Sequence, residues 1–206
     1  MNAPTEDDLS RLRTIAEEGR SAPLLGGWHL ILWGGAMTLA LLINWAVVER
    51  ILPWPGYSLA ISWFGIVLVA WAASITIGRL QAAKSYAHSV GNRVERAAWM
   101  TAGAFLLTFS LALFVRASVA GEPDAWSLFQ VMTPATFGAY AIALQVSAVA
   151  SHSATGKPFV VIAMVFSAAT AFLIGEPAQY LVAALGMALV SIPPALGHLA
   201  AARRAG

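Results

Sequence analysis

Six uncharged runs, residues 21–48, 51–78, 97–115, 125–156, 158–175 and 177–202, make up most of this 206-residue chain. The hydrocarbon core of a bilayer is about 30 Å thick and an α-helix rises about 1.5 Å per residue, so roughly 20 apolar residues cross it. Each run is long enough, and apolar enough in its middle, to make that crossing. Lipid is then the solvent that decides the fold. The expected fold class is an all-α membrane protein: a bundle of six transmembrane helices behind a short N-terminal amphipathic cytoplasmic helix. Residues 1–22 would hold that first helix, residues 23–200 the transmembrane domain, and residues 201–206 a cytoplasmic tail.

The composition narrows the function classes. The chain is 59% apolar and 11% charged, far from the roughly 25% charged of soluble domains. Spans and short connections use nearly all of it, which leaves no separate catalytic domain. Cysteine is absent, so disulfides, thiolate metal sites and a cysteine nucleophile are excluded. No basic patch is interleaved with aromatic residues, and nucleic acid is not an expected partner. Glu6, Asp7, Asp8, Glu17 and Glu18 at the start argue against a signal or transit peptide.

Charge sets the expected orientation. With spans near 24–48, 57–77, 98–117, 128–150, 159–174 and 180–197, ten of the twelve Lys and Arg residues fall on one side. Only Arg50 and Arg116 fall on the other. The positive-inside rule places the ten, and with them both termini, in the cytoplasm. Trp28 and Trp99 then mark the cytoplasmic boundary, and Trp45, Trp54 and Trp126 the outer one. The turns Gly121-Glu122-Pro123 and Gly175-Glu176-Pro177 end helices on the outer side.

Two cytoplasmic segments have their own patterns. From Thr5 to Gly19 the sequence reads as an amphipathic helix, with Leu9, Leu12, Ile15 and Ala16 on one face. Its acids outnumber its bases, which favours docking on protein over attraction to anionic lipid. Residues 79–90 read as a continuation of the second helix, Gly91-Asn92 as a turn, and residues 93–96 as the start of the third.

Helices in lipid associate through close packing, because lipid tails are as apolar as leucine. Small residues recur at every fourth position in the fourth span (Ala135, Ala139, Ala143, Ser147, Ser151) and the fifth (Ala163, Ser167, Ala171, Gly175). Gly27 and Gly34 mark a similar face in the first. These are the expected packing or partner faces. Pro134, Pro193 and Pro194 lie inside or beside helices, and the last pair is expected to bend the sixth.

Chemistry is scarce. No Asp, Glu, Lys or Arg falls at mid-depth in any span, which disfavours proton-coupled transport through a buried carboxylate. Asn44 and Gln145 are the leading intramembrane polar residues. His29, His152 and His198 lie at comparable depths and are the candidates for a haem or metal site; without a carboxylate at ligand spacing, no cofactor or metal is expected. No hydrolase, zinc-protease or phosphate-loop motif is present, so no catalytic residue is assigned.

The pattern Leu24-Leu25-Gly26-Gly27 … Trp33-Gly34-Gly35 behind an acidic segment, with Asn92-Arg93 … Trp99 and Ile192-Pro193-Pro194, resembles uncharacterised small bacterial six-span inner-membrane proteins. The resemblance implies a bacterial inner membrane and the six-span layout, and no activity. The expected role is non-enzymatic: an accessory subunit, scaffold or membrane-bound regulator, in contact with lipid and with a protein partner or a second copy of the chain. A channel or facilitator for a neutral or lipidic solute, and a haem- or metal-binding membrane protein, are the alternatives.

Overall fold

The computed structural model describes residues 24–83, 87–120, 125–151 and 156–205. The segment from Thr5 to Gly19 lies outside them. Among the described residues every regular element is a helix: α1 (Gly27–Val48), α2 (Tyr57–Ala82), α3 (Val90–Ala120), a 3-10 segment (Ala125–Val131), α4 (Met132–Ala150), α5 (Lys157–Phe172) and α6 (Ala178–Ala205). Five of these are long and apolar enough to cross a membrane; α5 is a shorter apolar helix of 16 residues. That is the make-up of a multi-pass membrane protein.

Successive helices run in opposite directions between two ends of the bundle. The end of α2 meets the backbone two residues ahead of α1, through Gln81 and Leu25. The start of α3 meets the end of α4, through Trp99 and Ser147, and the end of α6, through Glu95 and His198. At the opposite end Gln130, ahead of α4, meets Gly175 and Gln179 around the start of α6. α5 connects one end to the other.

The first and last helices form the most extensive contact, and α4 packs on α5 and α3, α5 on α6, and α2 on α1. Gly27 and Gly34 make the α1–α6 contact possible. A Cβ on Gly27 would lie 3.0 Å from the Ala195 carbonyl oxygen, and one on Gly34 would collide with the Ser191 side chain. Gly35, one residue on, faces open space. The core fills the space between α1, α4, α5 and α6 with Leu41, Phe137, Leu144, Ala163, Met187 and Val190. Gly186 was not singled out by spacing, yet its missing Cβ leaves room for the Phe137 and Phe166 rings, whose centroids are 5.7 Å apart.

The small-residue series maps onto this packing in part. Ala139, Ala143, Ser147 and Ala163 are buried, whereas Ala135 is half-buried and Ala171 is exposed. The residues of α4 that meet Ser167 lie one position over, at Pro134, whose carbonyl accepts the Ser167 hydroxyl at 2.9 Å, and at Gly138. Gly175 belongs to a turn: its φ of +98° is a left-handed conformation that favours glycine. Pro134 lies in the first turn of α4, where its missing N–H breaks no helical bond. Helix α6 continues through Pro193 and Pro194.

The connection between α2 and α3 differs from expectation. α2 ends at Ala82, and Gly91 and Asn92 are helical, within the first turn of α3. Ser89 explains this, because its hydroxyl accepts the Asn92 N–H at 3.3 Å and caps the helix three residues earlier than the basic cluster suggests.

Replacing Gly34 with Ala should force α1 from Ser191 and destabilise the protein by about 1–3 kcal/mol, the usual range for overpacking. Gly35→Ala should be tolerated. Melting curves of the two variants in mild detergent give the comparison.

Candidate functional site

A buried polar cluster sits at the end of the bundle where α1 begins. Leu24 and Leu25 are buried there, so the backbone polar groups beside them need partners other than water. Three side chains supply them. The Leu25 N–H donates to Asn92 Oδ1 at 2.8 Å, the Gly26 N–H donates to Glu95 Oε2 at 3.2 Å, and the Leu25 carbonyl accepts from Gln81 Nε2 at 2.6 Å. Helices α2 and α3 thus grip one short strip of backbone from two sides.

Local structure explains each partner. Asn92 and Glu95 are three residues apart in the first two turns of α3, so both project from the same face. Ser89 fixes Asn92 a second time by accepting from Nδ2 at 2.9 Å. Glycine at position 26 lets the carboxylate approach: a Cβ there would lie 2.5 Å from Glu95 Oε1. The carboxylate also sits at the N-terminus of α1, where the helix dipole favours negative charge.

Glu95 has a second neighbour. His198 Nδ1, on α6, is 3.8 Å from Glu95 Oε1, and the Glu95 side chain is 4% exposed against 20% for His198. Neither Oε1 nor Nδ1 has a hydrogen-bond partner. Nearby, Trp99 donates from Nε1 to Ser147 Oγ at 3.3 Å and packs edge-on against Tyr140, with ring centroids 4.9 Å apart. Trp99 is therefore a packing residue that ties α3 to α4.

Leu25 and Gly26 meet Asn92 and Glu95, Trp99 locks the start of α3, and the helix bearing Pro193 and Pro194 brings Ala195 and His198 onto Gly27. Sequence reasoning passed over Glu95. Its signal was a single acid among Arg93, Arg96 and Arg79, at i+3 from Asn92.

The other candidates are dispersed. His198 faces Glu95, His29 is half-buried on α1, and His152 lies outside the described residues. Among the described residues no group of three or more His, Cys, Asp or Glu is placed to hold a metal ion. Asn44 is buried near the far end of α1, with the Tyr180 hydroxyl in reach. It borders a second polar cluster in which Gln179, fully buried, donates to the carbonyls of Gln130 and Thr170 at 3.0 and 2.9 Å. Gln145 is exposed near the opposite end, on α4. The structure does not bring Asn44 and Gln145 together.

Comparison of the chain with protein-family profiles, with curated proteins and with solved structures gave no match.

Replacing Asn92 with Leu leaves the buried Leu25 N–H without an acceptor, a loss of about 1–3 kcal/mol. Thermal unfolding should begin at a lower temperature, and hydrogen exchange at Leu25 should accelerate more than in the core of α6. Unchanged exchange at Leu25 would contradict the clamp.

Proposed function

We propose that this chain acts by contact rather than by chemistry, as a non-enzymatic accessory subunit, scaffold or regulator of a partner protein in a bacterial inner membrane. The observation that carries this reading is the bareness of α2 and α3. Along its 26 residues α2 buries only Ala70, and in α3 the buried residues among those described are Asn92, Glu95 and Ala117. Both helices lie on flanks of the bundle, α2 against α1 and α3 against α4, and they scarcely touch each other. Phe64, Trp71 and Phe105 stand on them at least half exposed. Rigid aromatic rings on a helix face are the side chains that anchor protein interfaces.

Six crossings with both termini in the cytoplasm fit the same reading. The alternation of helix direction supports it, because α5, although short, connects opposite ends of the bundle. The excess of Lys and Arg around this end supports a cytoplasmic position for the clamp. There it holds the backbone that follows the N-terminal segment, a suitable position for a docking element. The separation of Asn44 from Gln145 does not favour a shared solute path, and the engagement of His198 with Glu95 does not favour a histidine-paired cofactor.

Photo-crosslinking residues at positions 64, 71 and 105 in native membranes should trap a discrete protein band. The same residue at Val161 or Phe172, exposed on α5, should not. Adducts to lipid alone at all five positions would overturn the proposal.

A further inference from the structure

The clamp holds two buried polar atoms that lack partners and face each other from different helices. Glu95 Oε1 and His198 Nδ1 are each shielded from solvent, each without a hydrogen bond, and 3.8 Å apart. A buried acceptor or donor left unsatisfied is costly, and one proton held between carboxyl and imidazole satisfies both atoms at once. His198 is carried by the part of α6 beyond Pro193 and Pro194. Those prolines have no N–H to bond the carbonyls of Leu189 and Val190, so residues 195–205 are joined to the rest of α6 by fewer backbone bonds. At this end Ala195, His198 and Leu199 pack on Gly27, and His198 meets Glu95.

We propose that Glu95 and His198 form a proton-operated latch that holds the terminal arm of α6 against the starts of α1 and α3. With one proton the pair makes a hydrogen bond and the arm is closed. With none, a carboxylate faces an imidazole lone pair in a desolvated site, and the arm swings out to water. A solvated imidazole gives up its proton above about pH 6.5, so the open arm binds fewer protons than the closed one. Closure is therefore favoured below that pH and lost as pH rises.

Other ionisable groups on the packed elements leave the pair as the switching unit. On α1, His29 is engaged with the Ser74 backbone and near Arg96. Arg93 and Arg96 on α3, Arg79 on α2, and Arg203 and Arg204 on α6 are exposed. Tyr140 on α4 is buried with Ser191 in reach. Besides His198, Gly26 and Ser147 meet the Glu95 carboxyl, and neither of them titrates.

The absence of cysteine makes the test direct. Nitroxide labels at Val94→Cys and Arg203→Cys, both exposed positions, report the distance between the start of α3 and the arm in lipid nanodiscs. Between roughly pH 5 and pH 9, a range that brackets the free imidazole, the distance distribution should shift from short and narrow to longer values. Glu95→Gln, whose amide can donate to Nδ1 at any pH, should stay short throughout, and His198→Leu should show one distribution at all pH values. An unchanged distribution in the otherwise native chain would overturn the latch. So would the same pH-dependent shift in either variant.

Discussion

Close backbone approach between α1 and α6 is the contact on which the rest of the bundle depends. In lipid there is little gain from hiding apolar side chains, so helices that come together must do so through packing and polar contacts. Gly34 provides the core of that packing, against Ser191, and Gly27 extends it to Ala195. This contact joins the two ends of the transmembrane sequence. It leaves α4 and α5 to fill the core beside it and displaces α2 and α3 to the flanks.

The polar clamp follows from that arrangement. Once α6 lies along α1, the start of α1 has α6 beside it, and α2 and α3 close over the preceding backbone. Leu25 and Gly26 then lose water, and Gln81, Asn92 and Glu95 replace it. The same geometry links the two ends of the functional reading. The clamp fixes the backbone at Leu25 and Gly26, while the flanking helices present aromatic side chains outward.

Much of the fold was legible from hydropathy alone, because a run of about 20 uncharged residues has few other uses. Gly27 and Gly34 were readable as close contacts for the same reason: seven residues bring a helix nearly back to one face. Finer features were hidden by their dependence on tertiary partners. Gly186 looks like any glycine in an apolar run until Phe137 and Phe166 fill the space beside it. Ala171 continues a four-residue period yet faces outward, since α5 turns its contact face elsewhere. Glu95 reads as one more loop charge, and only the folded chain shows it against Gly26 and His198. Ser89, by contrast, was a local signal. The capping serine outweighed the glycine-asparagine pair that reads as a turn.

We propose that six antiparallel helices carry the chain back and forth between two faces of a membrane, with the clamp on the cytoplasmic face. Single cysteines introduced at His88, Lys157 and Arg203, and at Trp54 and Glu176, can be probed in intact cells and inverted vesicles with an impermeant maleimide. The account predicts labelling of the first three only from the cytoplasmic side and of the last two only from the outer side. Labelling of positions 157 and 176 from the same side would show that α5 does not cross, and would contradict it.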